Sequence, residues 1–249
     1  MISPKACVLC LSGHDPTGGA GIHADIEAIG ALGGHALSII TANTVQDSHN
    51  VSRVAAVAPI LLAAQLEALI DDCRIGAIKI GLLGDAAQLD PILRAIERLR
   101  VPVVLDPVLR AGGGTALVRS ELLLAMQERL LPRIDVLTPN AAEARVLGGV
   151  ERLLDSGLKH LLVTGGDEPG DSVVNTWHRR GAAALVFEWP RLQQRFHGAG
   201  CTLASAIAAL LAQGRPVEAA LEEAQRYTHG TLERAWAVGS GRLIPGRLA

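Results

Sequence analysis

Short apolar runs recur along this chain, and between them lie longer stretches in which apolar residues return every three or four positions. Runs of four to eight apolar residues suit strands buried on both faces, and the wider spacing is that of amphipathic helices. The pattern predicts strands over Ala6–Ser12, Ala36–Thr41, Ala77–Ile80, Pro102–Leu105, Ile134–Leu137 and His160–Val163. Helices are predicted over Gly21–Leu32, Ile60–Asp71, Ala86–Leu99, Ser120–Leu130 and Ala141–Leu147, and two more, Thr202–Ala212 and Val217–Arg234, close the chain. Such alternation predicts an α/β fold with a mostly parallel central sheet between two helical layers. Two runs depart from it: Ser172–His178 and Ala183–Trp189, joined by a turn at Arg179-Arg180-Gly181, predict an antiparallel hairpin at a sheet edge. The segment Gly148–Lys159 leaves little room for a full helix. Neither a linker, a repeat nor a long charge run interrupts the pattern, so residues 1–249 are expected to form a single domain.

In an open parallel sheet, ligands bind beyond the carboxyl ends of the strands. Gly13 to Asp15 follow the first predicted strand, Gln46 the second, Gly81 the third, Asp106 the fourth, Asn140 the fifth and Thr164 to Gly166 the sixth. Six strand ends therefore converge on one rim.

Composition narrows the possible partners. The formal net charge is −2 with Lys and Arg scattered, which lacks the basic footprint of a nucleic-acid binder. Aromatic residues make up 2 % of a chain that is 49 % hydrophobic, so the core is Ala, Val, Ile and Leu, and a base-stacking platform is not expected. Every apolar stretch is interrupted before the ~18–20 residues of a membrane span. Nothing before Cys7 has the form of a secretory signal, and the four cysteines (Cys7, Cys10, Cys73, Cys201) fit a reducing cytoplasm. Cys7 and Cys10 form a CxxC, yet on a strand they face opposite sides and no second pair of metal-ligand spacing follows.

Two glycine-rich segments carry the candidate chemistry. Gly13-His14-Asp15-Pro16-Thr17-Gly18-Gly19-Ala20-Gly21 precedes a helix, and Gly19 to Ala24 satisfies the GxGxxA dinucleotide fingerprint. A dehydrogenase turn runs directly from strand to helix, however, and here a polar loop with a proline intervenes. GxxxxGK[ST] is absent, which excludes a P-loop kinase. His197-Gly198-Ala199-Gly200-Cys201 opens an alanine-rich helix, where bare N–H groups and the helix dipole can make an anion site and favour a Cys201 thiolate. A glycine turn with a buried cysteine explains the same residues equally well. Asp106 can hold Mg²⁺ or cap its own loop. Asn140 and Glu143 have the spacing of a capping box, whereas two carboxylates facing one anion site suggest metal-assisted phosphoryl transfer.

The order and spacing of these blocks resemble the hydroxymethylpyrimidine/phosphomethylpyrimidine kinases of the ribokinase-like superfamily. Ser12 to Asp25 is similar to that family's (G)xDPSGGAGxxAD opening, and further blocks match in family order: Ile40 to Asp47, Lys79 to Leu83, Leu105 to Val108, Thr138 to Glu143 and His197 to Leu203. The resemblance implies a three-layer α/β/α kinase with no separate lid domain, ATP and Mg²⁺ as cofactors, a small pyrimidine substrate and a homodimer. It implies that Gly13, Gln46, Leu82 and Val108 contact the pyrimidine, and that Asp106 and Glu143 hold Mg²⁺. Asn140, Thr164 and Gly166 would face the nucleotide. Gly198 and Gly200 would form the anion hole, beside Cys201 in place of the Asp of most sugar kinases. Pyridoxal and pyridoxine kinases are the near alternative, and a pocket that binds pyrimidine without turnover is another. His14, Ala199 and Phe196 depart from the common family residues, and Thr164 stands where relatives carry Lys, which predicts a missing cation beside the nucleotide phosphates.

Overall fold

The computed structural model describes residues 5–248. Its strands are β1 (Cys7–His14), β2 (His35–Gln46), β3 (Val51–Ala56), β4 (Ile75–Ile80), β5 (Val103–Leu105), β6 (Val136–Leu137), β7 (His160–Val163), β8 (Ser172–His178) and β9 (Leu185–Pro190). The helices are α1 (Gly21–Ala31), α2 (Pro59–Asp72), α3 (Leu89–Leu99), α4 (Ser120–Ala125, continued by a π turn), α5 (Ala141–Val146), α6 (Gly149–Asp155), α7 (Ala199–Ala212) and α8 (Val217–Glu233). All the strands form one sheet in the order β3-β2-β1-β4-β5-β6-β7-β8-β9. The pairs from β2 through β7 are parallel, and β3, β8 and β9 join antiparallel at the two edges.

Alternation along β1 divides the core into two layers. Leu9 and Leu11 pack with Leu62 of α2 and Ile92 of α3, while Val8 and Cys10 pack with Ile29 of α1 and Ile207 of α7. Cys7 lies against the first layer and Cys10 within the second, so the CxxC sulfurs are divided between the two faces of the sheet. From β1 the chain crosses through α1 to β2 on one side; from β4 it crosses through α3 to β5 on the other. The carboxyl ends of β1 and β4 therefore flank a topological switch point, where a crevice opens.

Two expectations need correction. β2 does not stop at Thr41: it runs to Gln46 because β3, which the apolar pattern missed, pairs antiparallel with Ala42 to Gln46, continuing past the end of β1 from Thr44 on. β3 escaped notice because Ser52, Arg53, Ala55 and Ala56 are exposed on an edge. The 148–159 segment does hold a helix, α6, with Leu153 buried, because Gly148 and Gly149 at positive φ let α5 and α6 follow each other without a linker.

Candidate active site

At the carboxyl ends of the strands lies a cleft of about 850 Å³ that Gly13, Gln46, Leu82, Asp106, Val108, Asn140, Glu143, Thr164, Gly166, Gly198, Gly200 and Cys201 all line. The structure thus brings together every site residue expected from the sequence.

Glycines let the first loop fold back over the end of β1. Gly21 has φ +58°, and a Cβ there would run into the Gly13 carbonyl. A Cβ on Gly13 would lie 2.9 Å from Leu82 Cδ2, so these two residues form a tight apolar floor. Asp15, 2 % exposed, ties the loop by accepting from Thr17 N–H and Ala20 N–H at 2.9 Å each, and from the Thr17 hydroxyl. Its other partner is His197 Nε2, at 2.7 Å. Burial alone would raise the Asp15 carboxyl, but the hydrogen bonds from His197 and Thr17 outweigh it and hold the group below its usual range.

The second glycine segment docks onto the first. Gly198, with φ +91°, is the N-cap of α7, and a Cβ there would strike the Gly19 carbonyl. Arg247, fully buried, joins the two segments: it donates to Gly19 O, to Thr202 Oγ1 (2.7 Å) and to Glu27 Oε2 on α1 (2.9 Å). One level down, Lys79 and Asp25 form a fully buried ion pair at 2.8 Å, extended by Ser12 Oγ at 2.9 Å from Lys79 and by Ser205 Oγ, which donates to Asp25 at 2.6 Å. Ser205 is one turn along α7 from Cys201, so this charge lies directly beneath the anion site.

The expected Cys201 thiolate is a correction. Burial first, and then the adjacent Asp106 carboxylate, push the thiol up to about 12; Lys79 opposes them only in part. Desolvation and a like charge outweigh the helix dipole here. Asp106 is also raised, by burial, against the pull of Lys79 and the Cys201 thiol. Glu143 is pushed up to about 7, by burial and then by Asp106. The capping box is present, with Asn140 Oδ1 accepting from Glu143 N–H (2.8 Å) and Glu143 Oε2 from Asn140 N–H (3.1 Å); Glu143 therefore caps α5 and also faces Asp106. A buried Asp106 carboxylate that raises the half-buried Glu143 fits a divalent cation, although no cluster of three or more His, Cys, Asp or Glu with ligand geometry occurs among the described residues.

Toward the sheet edge, Thr164 N–H donates to Pro139 O and Asn140 Nδ2 to Asp167. Arg191, just after β9, ties this loop down by donating to the carbonyls of Gly165, Gly166, Gly170 and Ser172. Sequence reasoning also missed the structural roles of His197, Lys79 and Arg247, whose partners are distant in sequence.

Comparison with known proteins agrees with this geometry. A family model described as phosphomethylpyrimidine kinase matches residues 15–245. The chain is 34 % identical to the hydroxymethylpyrimidine/phosphomethylpyrimidine kinase of Rhizobium meliloti, covering 95 % of each. It is 37 % identical to the thiamine biosynthesis bifunctional protein ThiED of Geobacter sulfurreducens over 96 % of this chain, and spans about half (51 %) of that relative's length. The fold matches a Bacillus subtilis pyridoxal kinase solved as an ADP complex, with a TM-score of 0.90 at 25 % identity over 98 % of this chain and 97 % of that one. With its glycine loops, Cys201 and facing carboxylates on one rim, and with the family model spanning nearly its whole length, the chain belongs to the phosphomethylpyrimidine kinase family.

Proposed function

We propose that this chain transfers the γ-phosphoryl group of ATP to 4-amino-5-hydroxymethyl-2-methylpyrimidine and then to its monophosphate, giving the diphosphate used for thiamine. The observation that carries the reading is the meeting of three unlike surfaces in one cleft: the Gly13–Leu82 floor with Gln46 and Val108, the α7 N-terminus with Gly198, Gly200 and Cys201, and the Asn140–Thr164–Gly166 edge. The pyrimidine lies on the first, the transferring phosphoryl group on the second and the nucleotide on the third. Bare N–H groups of the second surface stabilise charge as it develops on the phosphoryl oxygens. Cys201, a thiol at rest, would pass its own proton to the adjacent Asp106 carboxylate and as the thiolate take the hydroxyl proton as the oxygen attacks. Asp106 and Glu143 would hold Mg²⁺, which supplies neutralising charge for the phosphates.

The test is incubation of the purified chain with the pyrimidine alcohol, ATP and Mg²⁺, followed by mass spectrometry of the products. A monophosphate converted onward to a diphosphate is expected; absence of both products would sink the reading. The structural likeness to a pyridoxal kinase supports a second reading, in which pyridoxal is the better acceptor. Comparing kcat/KM for the two rings decides between them, and we expect the aminopyrimidine to win.

A further inference from the structure

His197 joins Asp15 of the first glycine loop to Gln46, and its contacts fix more than position. Its Nε2 lies 2.7 Å from Asp15 Oδ2 and 2.7 Å from the terminal amide of Gln46. Asp15 is held ionised and can only accept, so His197 Nε2 must carry a proton. The amide atom on the other side of that proton must then accept as well, and only an amide oxygen can. Thr44 leads to the same conclusion independently. With its single hydroxyl proton on the nearer acceptor, His14 O at 2.9 Å, it accepts toward Gln46, 3.2 Å away, which requires the amide NH₂. With nitrogen toward His197, the amide would set a hydrogen against the protonated Nε2; a half-turn of the amide exchanges the two ends, so that Asp15 and the amide oxygen share the one Nε2 proton and the NH₂ faces Thr44.

We infer that His197, anchored by Asp15, is a positioning residue that holds the Gln46 amide in one polarity, oxygen toward His197 and NH₂ toward Thr44, and so orients an aminopyrimidine ring for transfer. After those bonds are made, the oxygen keeps a free lone pair and the nitrogen a free hydrogen, on a half-buried side chain that lines the cleft. This donor–acceptor pair fits a ring nitrogen flanked by an exocyclic amino group. The order matters because in 4-amino-5-hydroxymethyl-2-methylpyrimidine the amino group lies between the ring nitrogen and the hydroxymethyl arm. With the Gln46 oxygen on the His197 side, the amino group points that way and the arm beyond it points toward Gly198 and Cys201. The opposite amide polarity would turn the ring over and send the arm away from the anion site. The inference rests on the pyrimidine reading above, and it adds a reason for discriminating against a pyridine that lacks the amino group.

The experiment compares wild type, His197→Phe, His197→Gln, Gln46→Ala and the His197→Phe/Gln46→Ala double variant, on the aminopyrimidine alcohol and on its analogue without the amino group. Wild type should strongly prefer the amino substrate. His197→Phe, which removes the N–H, should lose roughly tenfold or more in kcat/KM on the amino substrate, about the value of one charge-supported hydrogen bond, and much less on the analogue. His197→Gln should recover part of the preference, since its Nε2–H can replace that of the imidazole. In the double variant the preference should fall no further than in Gln46→Ala alone, because the His197 effect passes through the amide. Equal losses on the two substrates, or a further loss of preference in the double variant, would overturn the inference and make His197 a support of the Gly198 turn only. If wild type phosphorylates neither compound, the pyrimidine reading itself fails, an outcome distinct from a wild type that discriminates and a His197→Phe that still does.

Discussion

The two ends of the sheet carry similar residues to opposite effect. At the amino ends a shallower depression of about 430 Å³ is lined by Arg100, Pro102, Arg133, Asp135 and Lys159 among others. Most of its charges are paired: Lys159 meets Asp135 at 2.6 Å, the second Asp135 oxygen accepts from Val103 N–H at 2.9 Å, and Arg133 meets Glu97 at 2.9 Å, with the side chains of both ion pairs reached by water. At the carboxyl ends, the buried Asp106 raises the half-buried Glu143, and glycines leave the backbone of both loops bare. A concavity becomes a site where the fold leaves charge uncompensated and backbone accessible. Size and the presence of polar residues do not distinguish the two ends.

The largest effect that tests this contrast is expected at Cys201. Cys201→Ala should lower kcat on the order of 10²–10⁴-fold, the usual value of a general base, with a much smaller change in KM. The raised thiol adds a second expectation: at neutral pH iodoacetamide should modify Cys7 ahead of Cys201, although both residues are half-exposed. Mass mapping of the alkylated peptides checks the order. A Cys201 modified first would mean that the helix dipole prevails over burial and Asp106.

Next come the two lysines, one at each end. Lys79→Met leaves Asp25 charged and fully buried, with its second oxygen already unpartnered, and should cost about 3–5 kcal/mol in urea unfolding. Lys159→Met breaks an ion pair whose lysine is 68 % exposed and should cost at most about 1 kcal/mol. Equal costs would mean that the Lys79 pair is hydrated in solution. Arg247 belongs with Lys79 in this comparison, since it too is buried under the anion site and joins three elements.

Much of this was legible in the chain itself. β7 falls where its apolar run places it, because a strand buried in the sheet shows as unbroken Leu and Val, and β8 falls where the Ser172–His178 run places it at the edge. The site residues were legible for a different reason: each follows a strand end, and the sheet brings strand ends together. What stayed hidden depends on long-range contact. Lys79 and Asp25 look like ordinary charges until β4 and α1 meet; His197 finds Asp15 and Gln46 across 182 and 151 residues. β3 was hidden by its exposed edge, and the Cys201 ionisation was misjudged because spacing reveals a helix dipole but not a carboxylate from another strand.

The smallest effects concern pH, and here the two ends should pull in opposite directions. Glu143 at the carboxyl-end rim has a folded value of about 7, above that of an unfolded glutamate. Its contribution is intact below the ordinary glutamate range and is lost as pH rises toward 7, since the unfolded chain releases a proton that the folded chain still holds. His160, the first residue of β7 at the other end, is lowered mainly by burial against the pull of Asp135, and its ring stacks 5.6 Å from Trp177. Its contribution is present above the ordinary histidine value and is lost as pH falls through the lower folded one. Between about pH 5 and 7 the two slopes therefore oppose each other in the wild type. Asp106→Asn removes the second cause of the Glu143 shift and should leave stability rising more steeply with pH; His160→Gln should leave it falling. Urea midpoints across that range check both signs, and a common direction for the two variants would show that neither group dominates the titration at its own end.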